Sequence, residues 1–208
     1  MRPNNSCLVR SIPITKMKSL IIATFFWCMC SQGVANAGER LTITSKPALG
    51  FRINRISCTL GQAMAECLSV LGPADLIEAP KHTENTQAYL DEATKFFIYR
   101  KNGFIISEDK DGRVLNMNFY VFMPKDDSNY YQLQIANAKT EKGIGRGASL
   151  KQIVKTYGHP FNFRKSVFLG KERWECFYKY DSGFLDFDFV DGVLDTIGVH
   201  SKYQPYVN

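Results

Sequence analysis

The stretch Ser182–Val199, SGFLDFDFVDGVLDTIGV, decides how this chain is read. Leu185, Phe187 and Phe189 alternate with Asp186 and Asp188. That is the period-two pattern of a strand with one apolar and one polar face. Asp191-Gly192 interrupts it, and Leu194, Ile197 and Val199 carry a second β-prone run. Asp-Gly between two such runs is a strong hairpin signal, because both residues tolerate the positive φ of a tight turn. At an offset of 80, Asn102–Phe119 reads NGFIISEDKDGRVLNMNF. Gly103-Phe104 falls over Gly183-Phe184, and Asp111-Gly112 over Asp191-Gly192.

A second self-similarity precedes each of these stretches. GQAMAECLSVLGPA, residues 61–74, lies over GASLKQIVKTYGHP, residues 147–160, at an offset of 86. Each copy places apolar residues at helical spacing, then a glycine, then a proline one or two positions later, which is a helix with a glycine stop. The expected fold is therefore α+β, with two tandem repeats over 38–125 and 126–208. Each repeat would be one helix packed on an antiparallel β-meander. RLTITS and GFRINRIS supply strands before the first helix, and YYQLQIANA one before the second. The polar connection from Asp75 to Thr94 reads as a surface loop.

This order of elements resembles a group of exported bacterial domains. They include the tandem β-lactamase inhibitory proteins and the small envelope assembly lipoproteins of the SmpA/OmlA type. IGRGASLKQIVKTYGHP in the second copy, and more loosely CTLGQAMAECLSVLGPA in the first, carry the likeness. The resemblance implies a protein-binding module, an inhibitor or an immunity protein capping a periplasmic toxin or enzyme. Its alternative implication is a structural or assembly factor of the cell envelope. The chain departs from the lipoprotein type in lacking a lipid-attachment cysteine.

Ser19–Cys30, SLIIATFFWCMC, is an apolar run preceded by Lys16 and Lys18 and followed by Ala35-Asn36-Ala37. This fits a secretory signal peptide over 1–37, too short for a membrane span, with translation starting at Met1 or Met17. Cleavage near Ala37 would release a periplasmic or secreted protein with no stable membrane anchor. The leader would take Arg2, Arg10, Lys16 and Lys18 out of a formal net charge of +6, leaving +2. A chain so near neutrality has no global electrostatic reason to bind nucleic acid.

The glycines of Gly143-Ile144-Gly145-Arg146-Gly147 are spaced GxGxG, without the lysine-serine pair of a phosphate loop. They read as a linker and a helix approach. No cofactor is implied, and the scattered His82, His159 and His200 lack metal-ligand spacing. A catalytic pair of Asp186 and Asp188 is conceivable, but no base, positioned donor or pocket can be nominated beside it, so the chain is read as a non-enzyme. In RWECFYKY, Trp174, Cys176, Tyr178 and Tyr180 share the more apolar face and are assigned to the core. Glu175, Lys179, Asp186 and Asp188 are then the candidates for an exposed, partner-binding sheet face.

Three cysteines follow the leader. At offset 86, Cys58 lies over Ile144 and Cys67 over Ile153, before and inside the second helix. If that pair touches as a hydrophobic staple does, Cys58 and Cys67 are close enough to bridge, with Cys176 left as a buried thiol. The competing reading is three reduced, apolar cysteines.

Overall fold

The computed structural model describes residues 39–54, 56–80, 92–122, 132–168 and 170–202. All of its described elements belong to the unit Ala35–Asn208. The leader expected over 1–37, and with it the cleavage point near Ala37, lies outside the described residues, as does His82.

Two sheets make up most of the unit. The smaller has four strands: β1 (Leu41–Thr44), β2 (Gly50–Ile53), β3 (Ile56–Thr59) and β8 (Ala138–Thr140), in the order β3-β2-β1-β8. The larger has eight. They are β4 (Leu76–Glu78), β5 (Ala93–Tyr99), β6 (Phe104–Asp109), β7 (Val114–Tyr120), β9 (Asn162–Phe168), β10 (Lys171–Tyr180), β11 (Gly183–Val190) and β12 (Val193–His200). Their order is β4-β5-β6-β7-β12-β11-β10-β9. Two helices, α1 (Met64–Leu71) and α2 (Leu150–Tyr157), complete the described elements.

The expected α+β architecture is corrected by this arrangement, which is mostly β. The two meanders do not stay separate. β7 and β12 pair antiparallel, with Met117 opposite Val199 and Phe119 opposite Ile197, so two ladders that would each end in an open edge fuse into one sheet. Neither helix can cover such a sheet. Eight helical residues span about 12 Å, whereas eight strands are roughly 34 Å wide. The four-stranded sheet takes that role. Phe51 of β2 packs on Phe104 of β6 and Phe119 of β7, with ring centroids 5.4 and 5.3 Å away. Leu41, Ile43 and Ile53 join the same buried cluster as Ile106, Met117, Phe187 and Val199.

The helices close the margins of this core. α1 buries Met64, Cys67 and Leu71. α2 is started by a capping box between Ser149 and Gln152, and its Tyr157 ring lies 5.2 Å from Tyr178 and 5.3 Å from Phe187. Both helices stop at a glycine with positive φ, Gly72 and Gly158. A tyrosine hydroxyl from the large sheet donates to each stop: Tyr99 to the Gly72 carbonyl at 3.2 Å, and Tyr178 to that of Gly158 at 3.1 Å.

Two local expectations also change. A short strand, β4, occupies part of the connection read as loop and pairs with β5. Of the strand expected over YYQLQIANA, Tyr130 and Tyr131 lie outside the described residues, residues 132–137 form no strand, and β8 begins at Ala138, parallel to β1. The Asp191-Gly192 turn has positive φ at both residues and joins Val190 to Val193 directly.

Candidate functional site

The outer face of the large sheet, turned away from the four-stranded sheet, carries the charged residues of its β9–β12 half. Cross-strand register assembles them in rows. Thr196, Asp188, Glu175 and Arg164 stand opposite one another along one row, and Asn118, Gly198, Asp186 and Phe177 along the next. Arg164 and Arg173 hold the acids. Arg164 Nε donates to Glu175 Oε2 at 2.5 Å, and Arg173 lies 2.6 Å from Asp188 and 3.4 Å from Glu175. His200 Nε2 is 2.8 Å from Asp186 Oδ1. Two arginines and one imidazole thus face three carboxyl groups within the cluster.

Glu175, Asp186 and Asp188 were expected on an exposed face. They do share one face, but it is not solvated: their exposures are 2, 4 and 6%. Of the four candidates for partner contact only Lys179 is exposed, its Nζ 5.8 Å from the Phe161 ring. The complementary assignment to the core places Cys176 and Tyr178 among the buried residues, with Trp174 and Tyr180 packed partly buried against them. His159 is exposed beside the Gly158 stop of α2.

Burial sets the protonation of this cluster. It pushes the Asp188 carboxyl up to about 8, although Arg173 pulls in the opposite direction. Burial works to depress His200, but the charge and hydrogen bond of Asp186, together with the charges of Asp188 and Glu175, outweigh it, and the net direction is upward. Beneath them, on the core side, the Cys176 thiol is pushed up to about 12 by burial and then by Asp188, Asp186 and Glu175. A carboxylate–imidazole pair is the unit of many general bases. Here His200 is 8% exposed and its partner is more deeply buried, so the pair is placed to neutralise charge rather than to meet a substrate.

Gly198 makes the pairing possible. It stands opposite Asp186, and a Cβ there would fall on Asp186 Oδ1 and His200 Nε2. On the β5–β7 side the same face turns apolar, where Ile98 and Ile105 are buried with Leu133. Between the two halves, the Ser107 hydroxyl and both polar atoms of Asn116 are buried without a hydrogen-bond partner among the described residues.

The exposed feature of this half is its margin. β9 ends the eight-stranded order and, among the described residues, pairs only with β10. Phe163 and Val167, on its other face, are 43 and 73% exposed, and Phe161 just before the strand is also exposed. Phe163 packs edge-on to Trp174 at 5.3 Å. Lys165 stands between Phe163 and Val167, 5.2 Å over the Trp174 ring and 2.6 Å from Glu172. Sequence reasoning passed over this row. Its signal was Phe163, Lys165 and Val167 at alternate positions, because a lysine set into an apolar strand face marks a sheet edge.

The GxGxG stretch binds within the chain. Gly143 N–H donates to the Thr140 carbonyl at 2.8 Å, and Ile144 N–H to Thr140 Oγ1 at 3.1 Å. A Cβ at Gly145 would meet the Ala138 carbonyl and the Lys139 side chain. The glycines let this turn lie against β8, and these two amides already have partners. Cys58 and Cys67 are joined, with Cα atoms 5.6 Å apart, while Cys176 is a buried free thiol. No helix among the described residues is long and apolar enough to cross a membrane.

No protein-family model and no curated protein matches the sequence. Among solved structures, a DUF4309 family protein (YjgB) of Bacillus subtilis subsp. subtilis str. 168 aligns at 15% identity with a TM-score of 0.42, covering 69% of this chain and 81% of its own. A "putative beta-lactamase inhibitor protein" of Streptococcus mutans aligns at 15% identity with a TM-score of 0.22, covering 74% of this chain and 86% of its own. Likenesses at these scores carry no assignment of fold or function.

Proposed function

We propose that the chain is an exported protein-binding module, an inhibitor or immunity protein that caps a periplasmic enzyme or toxin. The observation that carries this reading is the row of exposed apolar side chains, Phe163 and Val167, along the edge of the large sheet where β9, among the described residues, pairs only with β10. Sheets commonly shield such edges, because an open ladder beside apolar side chains recruits another chain. The Cys58–Cys67 bridge suits an oxidising compartment, in keeping with the leader read from the sequence. The buried charge cluster gives the half of the sheet behind this edge a fixed register, since each ion pair is satisfied in one strand alignment only.

The test is affinity capture from periplasmic extract, with identification by mass spectrometry and confirmation with the purified partner. The reading predicts one partner retained in repeated captures and bound with the same stoichiometry when pure. Repeated captures that retain no protein, together with robust turnover by the purified chain, would overturn it.

A further inference from the structure

Building on that protein-binding reading, we infer that β9 receives an extended segment of the partner as an added strand, and that this segment carries an apolar–x–acidic–x–apolar pattern. The backbone names the class of occupant. Asn162–Phe168 is an extended run of seven residues at the end of the sheet order. The backbone groups on its outer side suit another strand, once the Phe163 N–H, which donates to Asn162 Oδ1 at 2.8 Å, is released.

The side chains name the pattern. Directly opposed cross-strand residues share a face and interact as pairs. Phe163, Lys165 and Val167 lie on one face of β9, so an incoming strand would present three alternate residues to them. Apolar residues suit Phe163 and Val167, and a carboxylate suits Lys165. Lys165 already holds Glu172 while lying over Trp174, which fixes its ammonium at the edge instead of leaving it free to swing away. On the opposite face Arg164 is engaged by Glu175 and Ser166 is small, so that face asks little of the partner.

A second copy fits this edge poorly. Two-fold antiparallel pairing of β9 with itself preserves faces: full overlap sets Lys165 against Lys165, a shift one way sets Arg164 against Arg164, and a shift the other way sets Ser166 against Ser166 with Lys165 facing Val167, which offers the lysine no carboxylate. Like charges directly opposite destabilise a strand pair. No central self-pairing gives Lys165 an acidic partner, so a segment of a different protein with a carboxylate at that position suits the edge better.

The test uses the full-length protein and a nine-residue peptide with valine, glutamate and valine at alternate central positions and threonine between them. Trp174 beside β9 is the sole tryptophan after the expected leader, so its fluorescence reports the contact. The inference predicts saturable binding, weakened about tenfold or more by N-methyl groups on the three central peptide residues or by Val167→Lys. Lys165→Glu should reverse the preference toward a lysine-centred peptide. Absence of binding, or binding indifferent to N-methylation, to Val167→Lys and to the charge exchange, would overturn it. So would sedimentation showing a dimer of the wild type that Val167→Lys abolishes, since the occupant would then be a second copy. Capture experiments separate the two levels. A partner retained equally by wild type and Val167→Lys sinks the β9 inference and leaves protein binding standing. Repeated captures that retain no partner with either form, together with robust turnover by the purified chain, sink the protein-binding reading itself.

Discussion

Asp186 and His200 meet over Gly198: Nε2 and Oδ1 are 2.8 Å apart, and the glycine opposite Asp186 supplies the space they share. One missing side chain thus lets a carboxylate and an imidazole neutralise each other inside the sheet face. Gly198→Ala should force them apart and leave two poorly paired buried groups. The expected loss is about 3 kcal/mol, within the range for breaking a buried ion pair, read as a lower urea midpoint at an unchanged slope.

Stability should fall as the pH rises from about 4 through about 8. His200 titrates above its ordinary value in the fold, so its contribution is complete below about pH 6.5 and is lost as the pH passes through the raised value. Asp188 acts in the same direction: the protonated carboxyl favours the fold, and that advantage declines from about pH 4 and disappears as the pH passes about 8. Chemical denaturation at a series of pH values checks the slope, and His200→Gln should flatten its upper part. The other charged residues acting on these two groups are Asp186, Glu175 and Arg173, so the experiment belongs at constant ionic strength.

Ser107 buries a hydroxyl without a partner among the described residues. Ser107→Ala should therefore raise stability, by about 1 kcal/mol, where most substitutions lower it. A loss of comparable size would show that the hydroxyl is engaged.

Removing the Cys58–Cys67 bridge with reductant should cost roughly 2–3 kcal/mol, the loop being short. Cys176 is buried, and its thiol is pushed up to about 12. Alkylation of the native protein should leave it unmodified, and alkylation in denaturant should label it fully. Mass spectrometry of both samples decides.

Much of the local structure was legible in the sequence, and the pairing of its parts was not. Turn chemistry is a matter of neighbouring residues, so Asp191-Gly192, Gly72 and Gly158 announced their turns and helix stops directly. The Cys58–Cys67 juxtaposition came from aligning two helix approaches. What lay beyond reach was long-range choice. Nothing local tells β7 to pair with β12, or β8 to leave its neighbours and join β1. The offset of 80 also misled in one respect. It sets Phe104 over Phe184, yet Phe104 lies in the core while Phe184 shares the face of Asp186 and Asp188. The irregularity between Ser107 and Glu108 and that between Asp188 and Phe189 correspond at 81 instead. A slip of one residue exchanges the two faces of a strand.

The candidate site failed in the same way. Alternation placed Glu175, Asp186 and Asp188 on one side of their strands. It could not reveal that Arg164, Arg173 and His200, each from a different strand, would stand beside them and allow three acids to be buried. The exposed row on β9 was visible as a pattern, but its meaning depended on β9 being last in the sheet.

Val167→Lys should change stability by no more than about 0.5 kcal/mol, because the side chain is mostly exposed and lysine suits an edge strand. Thermal unfolding of the variant alone checks this, and it makes the substitution a clean probe of binding.

The most direct measurement of the central claim is hydrogen–deuterium exchange of the full-length protein with and without a saturating amount of the glutamate-centred peptide. An added strand must protect the amides along the edge it joins. The account predicts new protection concentrated within Asn162–Phe168, and its loss in Val167→Lys. Protection that leaves β9 unchanged, or that appears instead at β4 or β3, would contradict it.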